Sequence, residues 1–225
     1  MDLNADLGEE VTDDAGLLAV VTSANVACGY HAGTAAIMRE VCAEAVRRGV
    51  SVGAQVSYAD RPGFGRTELE VPSALLTEQV ADQVGLLTEI ARAEGTDVRY
   101  VKPHGALYHR VARDPEQASA VLAGSGRLPV LGLPGAVILD LAARAGRGTW
   151  REGFPDRGYT PSGGLVPRGK PGALVTDPTR IAAHAVRLAA AVDSLCVHGD
   201  SPGAVAAAAA VREALVRAGF ALHGL

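Results

Sequence analysis

Short apolar or β-branched runs alternate with amphipathic stretches of helical period along the whole chain. The runs Asp2–Asp6, Val20–Ala27, Val50–Gln55, Val98–Lys102, Pro129–Gly132, Thr149–Glu152 and Ser194–His198 predict strands, with Phe220–His223 as a further candidate. Between them, Ile37, Val41 and Ala45 share one helical face, and Glu40, Glu44, Arg47 and Arg48 lie opposite. Leu76, Val80, Val84, Leu87 and Ile90 trace a second apolar stripe, and Ile181, Ala185, Leu188 and Val192 a third. Asp114-Pro115, Asp177-Pro178 and Ser201-Pro202 each place a capping side chain before a proline at a first helical position, where the missing N–H costs nothing. Asp114 with Gln117 also fits a capping box.

Seven or eight strand–helix units imply a parallel sheet, since each parallel crossover needs a helix of this size. A doubly wound sheet would gather its polar residues at one switch point. Here strand after strand ends in reactive groups: Asn4 and Asp6, Asn25, Gln55, Lys102 and His104, Glu152, His198 and Asp200. A β/α barrel collects the C-terminal ends of all its strands into one mouth. The pattern therefore favours a TIM-like α/β barrel of seven or eight strands, and no linker divides residues 1–225 into more than one domain.

Composition narrows the function. Apolar residues make up 48% of the 225 and charged residues 20%, which suits a packed soluble core. The net charge of −4 argues against nucleic acid, whose binding relies on a basic surface. Residues 15–38 carry no charged side chain, yet Asn25, His31 and several Ser and Thr make them too polar to span a membrane. Cys28, Cys42 and Cys196 form neither a disulfide framework nor a zinc spacing, and the start MDLNADLGEE is acidic where a signal peptide is basic; the expectation is a cytoplasmic protein.

Six segments carry candidate chemistry. In DLNADLGEE, Asn4 and Asp6 alternate along a strand and face one side. TSANVACGYHAG runs from a strand into a turn holding His31, and Cys28 within it reads as a packing residue. GAQVSYADRPGFGR is a long loop whose Asp60, Arg61 and Arg66 suit carboxylate or phosphate recognition. In YVKPHGALYHR, Lys102 closes an apolar strand, where burial lowers its pKa unless a carboxylate holds it charged, and His104 turns toward the same space. EGFPDRGYTPSGGLVPRGKPG, with Glu152, Asp156 and Arg157, is long and polar enough for a lid or binding loop. Its G-x-x-x-x-G-K from Gly164 to Lys170 lacks the following Ser or Thr, the feeding strand and the helix of a phosphate loop. In CVHGDSPG, His198 and Asp200 stand two apart as candidate acid/base partners; Ser201 reads as a cap rather than a triad nucleophile.

Taken together, DLNADLGE, TSANVACGYHAG, SYADRPGFGR, VKPHGALYH, FPDRGYTPSGGLVPR and VHGDSPGA resemble the 5-oxoprolinase A-subunit family, the LamB/YcsF lactam-utilisation proteins, in family order over residues 2–204. The resemblance implies a β/α barrel of the kind shared with sugar deacetylases. It implies ATP-dependent opening of 5-oxo-L-proline to L-glutamate together with partner subunits B and C, with ATP and its Mg2+ as cofactors. Carried over by position, Asp6, His31, Lys102, His104, His198 and Asp200 form the site. His104 or Asp6 is then the base, Lys102 with Arg61 or Arg66 stabilises anions, and the loop with Asp156 and Arg157 closes over the ligand. Asn4, Asn25, Gln55, Asp60 and Glu152 complete the candidate substrate- and phosphate-binding set.

The chain departs from the family pattern at Gln55-Val56, where the family usually has His-Pro, at Thr34, where it has Asp, and in a shorter connection from Val175 to His198. Glutamine is a poor ligand beside histidine, so no tightly bound transition metal is expected. Two other readings stay open on sequence alone. One is a metal-dependent amidohydrolase or deacetylase working without ATP, with Asp6, His31 and His104 as ligands. The other is a non-catalytic component that only binds the lactam.

Overall fold

In the computed structural model, which describes residues 1–161, 163–200 and 203–225, parallel strands close into a barrel in sequence order. The strands are β1 (Asp2–Leu7), β2 (Ser23–Ala27), β3 (Ser51–Val56), β4 (Val98–Pro103), β5 (Val130–Gly132), β6 (Thr149–Gly153) and β7 (Ser194–Val197). Pairing of β7 with β1, Asp2 against Ser194 and Asn4 against Cys196, closes the ring. The helices are α1 (Asp14–Leu18), α2 (Ala35–Arg48), α3 (Ser73–Ala93), α4 (Gly105–Val111), α5 (Pro115–Gly124), α6 (Val137–Arg144), α7 (Pro178–Leu188) and α8 (Ala204–Arg217).

The alternation along the strands puts polar side chains inside and apolar ones outside. On β1, Leu3, Ala5 and Leu7 join the apolar layer beneath the helices, while Asp2, Asn4 and Asp6 point into the barrel. The helical stripes supply the other half of that layer: Met38, Val41, Cys42 and Ala45 from α2, and Leu76, Val80, Leu87 and Ile90 from α3. Inside, every buried donor needs a partner. Ser194, Ser23 and Thr22 donate to Asp2 at the bottom, Asn4 donates to Ser194 at 2.7 Å, and Asn25 donates to Asn4 at 2.6 Å. Gly53 leaves the space that the Tyr100 ring fills: a Cβ there would overlap the ring.

Among the described residues the barrel has seven strands, because the eighth candidate is not one. Residues 220–223 run across the barrel bottom as a terminal strap, where the Met1 ammonium donates to the Ala221 carbonyl at 3.1 Å and the His223 N–H to the Met1 carbonyl at 3.2 Å. β2 starts later than expected, at Ser23, since Val20 and Val21 still bond back to the Leu17 carbonyl of α1. β7 stops at Val197, so His198 belongs to the loop beyond it. The aspartate caps of α5 and α7 form as expected. No capping box forms on α5, because the Gln117 side chain is committed to the Val71 carbonyl and the Tyr58 hydroxyl. Ser201 and Pro202 lie outside the described residues, and α8 begins at Ala204.

Candidate active site

The C-terminal ends of the strands open into a cavity of about 710 Å3, lined at its floor by Asp6, Lys102 and His104 and at its wall by Phe154, Arg157 and His198. That volume lies within the ~300–1,000 Å3 typical of small-molecule sites.

Lys102 is the centre of the floor. Its ammonium lies 3.0 Å from Asp6 Oδ1, 2.9 Å from Glu152 Oε1 and 3.2 Å from Cys196 Sγ. Burial alone lowers a lysine pKa, but the carboxylates of Asp6 first and then Glu152 raise that of Lys102 well above its ordinary value. Burial raises Asp6 in turn, and the Lys102 charge, with help from His198, outweighs it and keeps this carboxyl below the usual range. The three groups are held from below and behind. Asn25 donates to Asp6 at 2.9 Å, Asn4 to Glu152 at 3.0 Å, Tyr100 to Asn25 at 2.6 Å, and Tyr108 from α4 to Glu152 at 2.9 Å. Asn4 and Asn25 are thus struts in the barrel interior, fully buried beneath the cavity. Burial pushes the Cys196 thiol well above its ordinary pKa, which makes it a neutral neighbour rather than a nucleophile.

On the wall, His198 pairs with Asp156 and not with Asp200. Asp156 Oδ2 accepts from His198 Nδ1 at 2.8 Å and from its backbone N–H at 3.1 Å, so Nε2 faces the cavity with no protein partner among the described residues. The Phe154 ring stacks on the imidazole at 5.3 Å. Burial disfavours the imidazolium, yet Asp156 overrides it and raises the His198 pKa, while that of Asp156 falls. Asp200 turns instead to the rim, 2.5 Å from Arg66 and 3.9 Å from Arg168. The backbone bridges of the 157–174 loop fix Arg157, whose guanidinium donates to the carbonyls of Ala173 and Val166.

The His198–Asp156 pair has a definite pH signature. A raised histidine pKa contributes stability that is complete below the unfolded value of about 6.5 and is lost as pH rises through the folded value. A lowered aspartate contributes stability that is present above about pH 3.9 and lost as pH falls. The melting temperature of the wild type should therefore exceed that of Asp156→Asn most between about pH 4 and 6.5, and the gap should shrink into alkaline pH. A gap that does not vary with pH contradicts the ion pair.

Beside the floor, His31, His104, Glu9 and Gln55 form a second cluster. The two imidazoles stack at 4.0 Å, Gln55 Nε2 donates to Glu9 at 3.1 Å and to His104 Nδ1 at 3.0 Å, and His104 Nε2 donates to the Phe64 carbonyl at 3.1 Å. Burial first, and His31 next, depress the His104 pKa well below the ordinary imidazole value. Both of its nitrogens are engaged, which leaves the base role expected of it without a free lone pair toward the cavity. Asp6 is held ionised by Lys102 and is a weak base for the same reason. The ligand set Asp6, His31, His104 does not assemble either: Asp6 is spent on Lys102, and the carboxylate beside the histidines is that of Glu9.

Other expected residues fall elsewhere. Arg61 bonds to Glu10 and to the carbonyls of Gly29 and Gly33, outside the cavity lining. Asp60 caps its own loop by accepting from the N–H groups of Gly63 and Thr67. His31 is buried behind His104, and the α2 N-terminus is capped by Thr34, whose hydroxyl accepts from Ile37. Thr34 therefore does the capping work an aspartate would do. Sequence reasoning missed Glu9 and Tyr108, although both stand inside the quoted segments DLGEE and HGALYH.

Comparison with known proteins shows the family and the fold. The model of the LamB/YcsF family matches residues 1–225. The chain is 53% identical to the A-subunit of 5-oxoprolinase from Streptomyces griseus, over 97% of each, and 49% identical to that from Mycobacterium avium, over 99% of this chain and 98% of the relative. The crystal structure of a lactam utilization protein from Thermus thermophilus superposes with a TM-score of 0.93 at 38% identity, covering 100% of this chain and 99% of that one. A family 4 carbohydrate esterase from Streptomyces lividans shares the fold at a TM-score of 0.57 and 12% identity, over 100% of this chain and 90% of that one.

Proposed function

Because the chain belongs to the LamB/YcsF family, we propose that it supplies the lactam-opening site of a cytoplasmic, ATP-dependent 5-oxoprolinase completed by subunits B and C. The observation that carries this reading is Lys102, a buried ammonium held charged at the floor of a cavity.

5-Oxo-L-proline is a small anion with a resonance-stabilised amide. Its carboxylate suits the cationic side of the cavity, where Arg66, Arg157 and Arg168 face inward. Its amide oxygen suits the floor. Of the three contacts of Lys102, the one to the Cys196 sulfur is the weakest and the one a substrate oxygen displaces. ATP, entering with Mg2+ as co-substrate, supplies the phosphoryl group: the amide oxygen bonds to the γ-phosphorus and ADP leaves. Water then adds to the activated carbon, the ring C–N bond breaks, and phosphate departs, so that lactam, ATP and two waters become glutamate, ADP and phosphate. Lys102 stabilises negative charge on the oxygen through these steps. His198, whose imidazolium Asp156 favours, donates a proton from Nε2 to the departing nitrogen.

Calorimetric titration of the chain with 5-oxo-L-proline should show one site, weakened about tenfold in Arg168→Gln through loss of a charge-assisted bond to the carboxylate. Absence of saturable binding, to the chain alone or with its partner subunits present, contradicts the assignment.

A further inference from the structure

The cluster beside the floor is not fully explained by the lactam reaction. Among the described residues, two buried side-chain atoms without a hydrogen-bond partner, His31 Nε2 and Gln55 Oε1, belong to this one group. Glu9, His31 and His104 each present a ligand atom, and all three atoms lie within 4.8 Å of one another.

The hydrogen bonds around the cluster set the tautomers. Ser57 donates its hydroxyl to the Tyr58 carbonyl at 2.8 Å, so it accepts from His31 Nδ1–H at 3.0 Å, and the lone pair of a neutral His31 sits on Nε2. The Phe64 carbonyl takes the Nε2–H of His104 at 3.1 Å and leaves the His104 lone pair on Nδ1. The two lone-pair nitrogens therefore both lie near Glu9 Oε1, at 3.6 Å for His31 and 3.5 Å for His104. Each ring is oriented by an acceptor on its far nitrogen, the arrangement that positions histidines on metals. A single amide, Gln55 Nε2, donates into this group of acceptors and reaches only Glu9 and His104.

We propose that Glu9, His31, His104 and Gln55 form a site for an exchangeable divalent first-row cation of the zinc type. The separations of 3.6 and 3.5 Å from Glu9 Oε1 to the two histidine nitrogens suit the edges of a tetrahedron with ~2.1 Å bonds, which are ~3.4 Å, and the end of the Gln55 amide lies 3.1 and 3.0 Å from Glu9 and His104. Rotation of the Gln55 amide by half a turn brings its unpartnered Oε1 inward as the fourth ligand. Without a cation that orientation sets the oxygen against the Glu9 carboxylate, which is why Nε2 points inward here. The rings stack at 4.0 Å, so an ion shared in both ring planes also requires His104 to turn about its Cβ–Cγ bond. Glutamine is a weaker donor than a third histidine, and the ion exchanges with solvent. Phe64 and Gly65 pack on both imidazoles, so loading fixes the loop that carries Arg66 to the cavity rim.

The test is binding, read without turnover and so independent of the reaction proposed above. The full chain is stripped with chelator and titrated with Zn2+ against a chromophoric competitor and with Co2+ in the visible range. One equivalent is expected, with the intense d–d bands of four-coordinate Co2+. Glu9→Gln and His31→Asn should weaken binding at least tenfold and Gln55→His should strengthen it by a similar factor, while His223→Gln, at the surface beside the terminal amine, changes nothing. If binding is absent, or is unchanged in Glu9→Gln and His31→Asn, or vanishes in His223→Gln, the site is wrong. Should Glu9→Gln fail to fold, an unchanged affinity in Gln55→His overturns the proposal by itself.

Discussion

Replacing Lys102 by methionine is expected to abolish glutamate formation and to destabilise the chain by about 3–5 kcal/mol, the usual consequence of removing one partner of a buried charge set. Asp6 Oδ1 and Glu152 Oε1 lie 3.0 and 2.9 Å from the ammonium, and without it two buried carboxylates face each other unpaired. For a chain of this length each kcal/mol lowers the melting temperature by about 2–4 °C. The double substitution Lys102→Met with Glu152→Gln should recover part of the stability and none of the activity, since it relieves the repulsion without restoring a cation. Recovery of both assigns Lys102 a purely structural role. Urea unfolding and a glutamate assay on the assembled complex read the two effects separately.

The second large effect is expected at His198. His198→Asn should lower kcat about 10²–10⁴-fold, the range for loss of a positioned acid or base, while the chain stays folded. His104→Asn should lower kcat less than that, because its nitrogens are bound to Gln55 and the Phe64 carbonyl and neither is aimed at the cavity. The contrast follows from environment. Asp156 raises the pKa of one histidine, and burial beside a second imidazole lowers that of the other. If His104→Asn is the more damaging of the two, the base role expected from the sequence returns to His104.

The barrel was legible because its interior is polar. Side chains such as Asn4, Asp6, Asn25, Lys102 and Glu152, at or near strand ends, are a pattern that a doubly wound sheet does not produce on every strand. Strand count was ambiguous at one place, residues 220–223, where an apolar pair next to the chain end reads as a strand but forms a strap bonded to Met1. Pairings across the barrel were harder to read. His198 and Asp200 are two residues apart and look like partners, yet the loop beyond β6 brings Asp156 to His198, and the rim draws Asp200 to Arg66. Long-range contacts of this kind are set by how β6 and β7 lie side by side, which spacing along the chain does not encode. Asp60 and Arg61 misled for the opposite reason. A loop rich in glycine and proline needs side chains to hold its turns and to anchor it: Asp60 holds the turn, and Arg61 ties the loop to the carbonyls of Gly29 and Gly33.

The most direct measurement is release of glutamate and ADP from 5-oxo-L-proline, ATP and Mg2+ by this chain alone, by subunits B and C alone, and by all three combined. The account predicts product only from the combined mixture, one glutamate per ADP, with none when Lys102→Met replaces the wild-type chain. No product with partners that work alongside another family member, or full activity with the Lys102→Met chain, would contradict it.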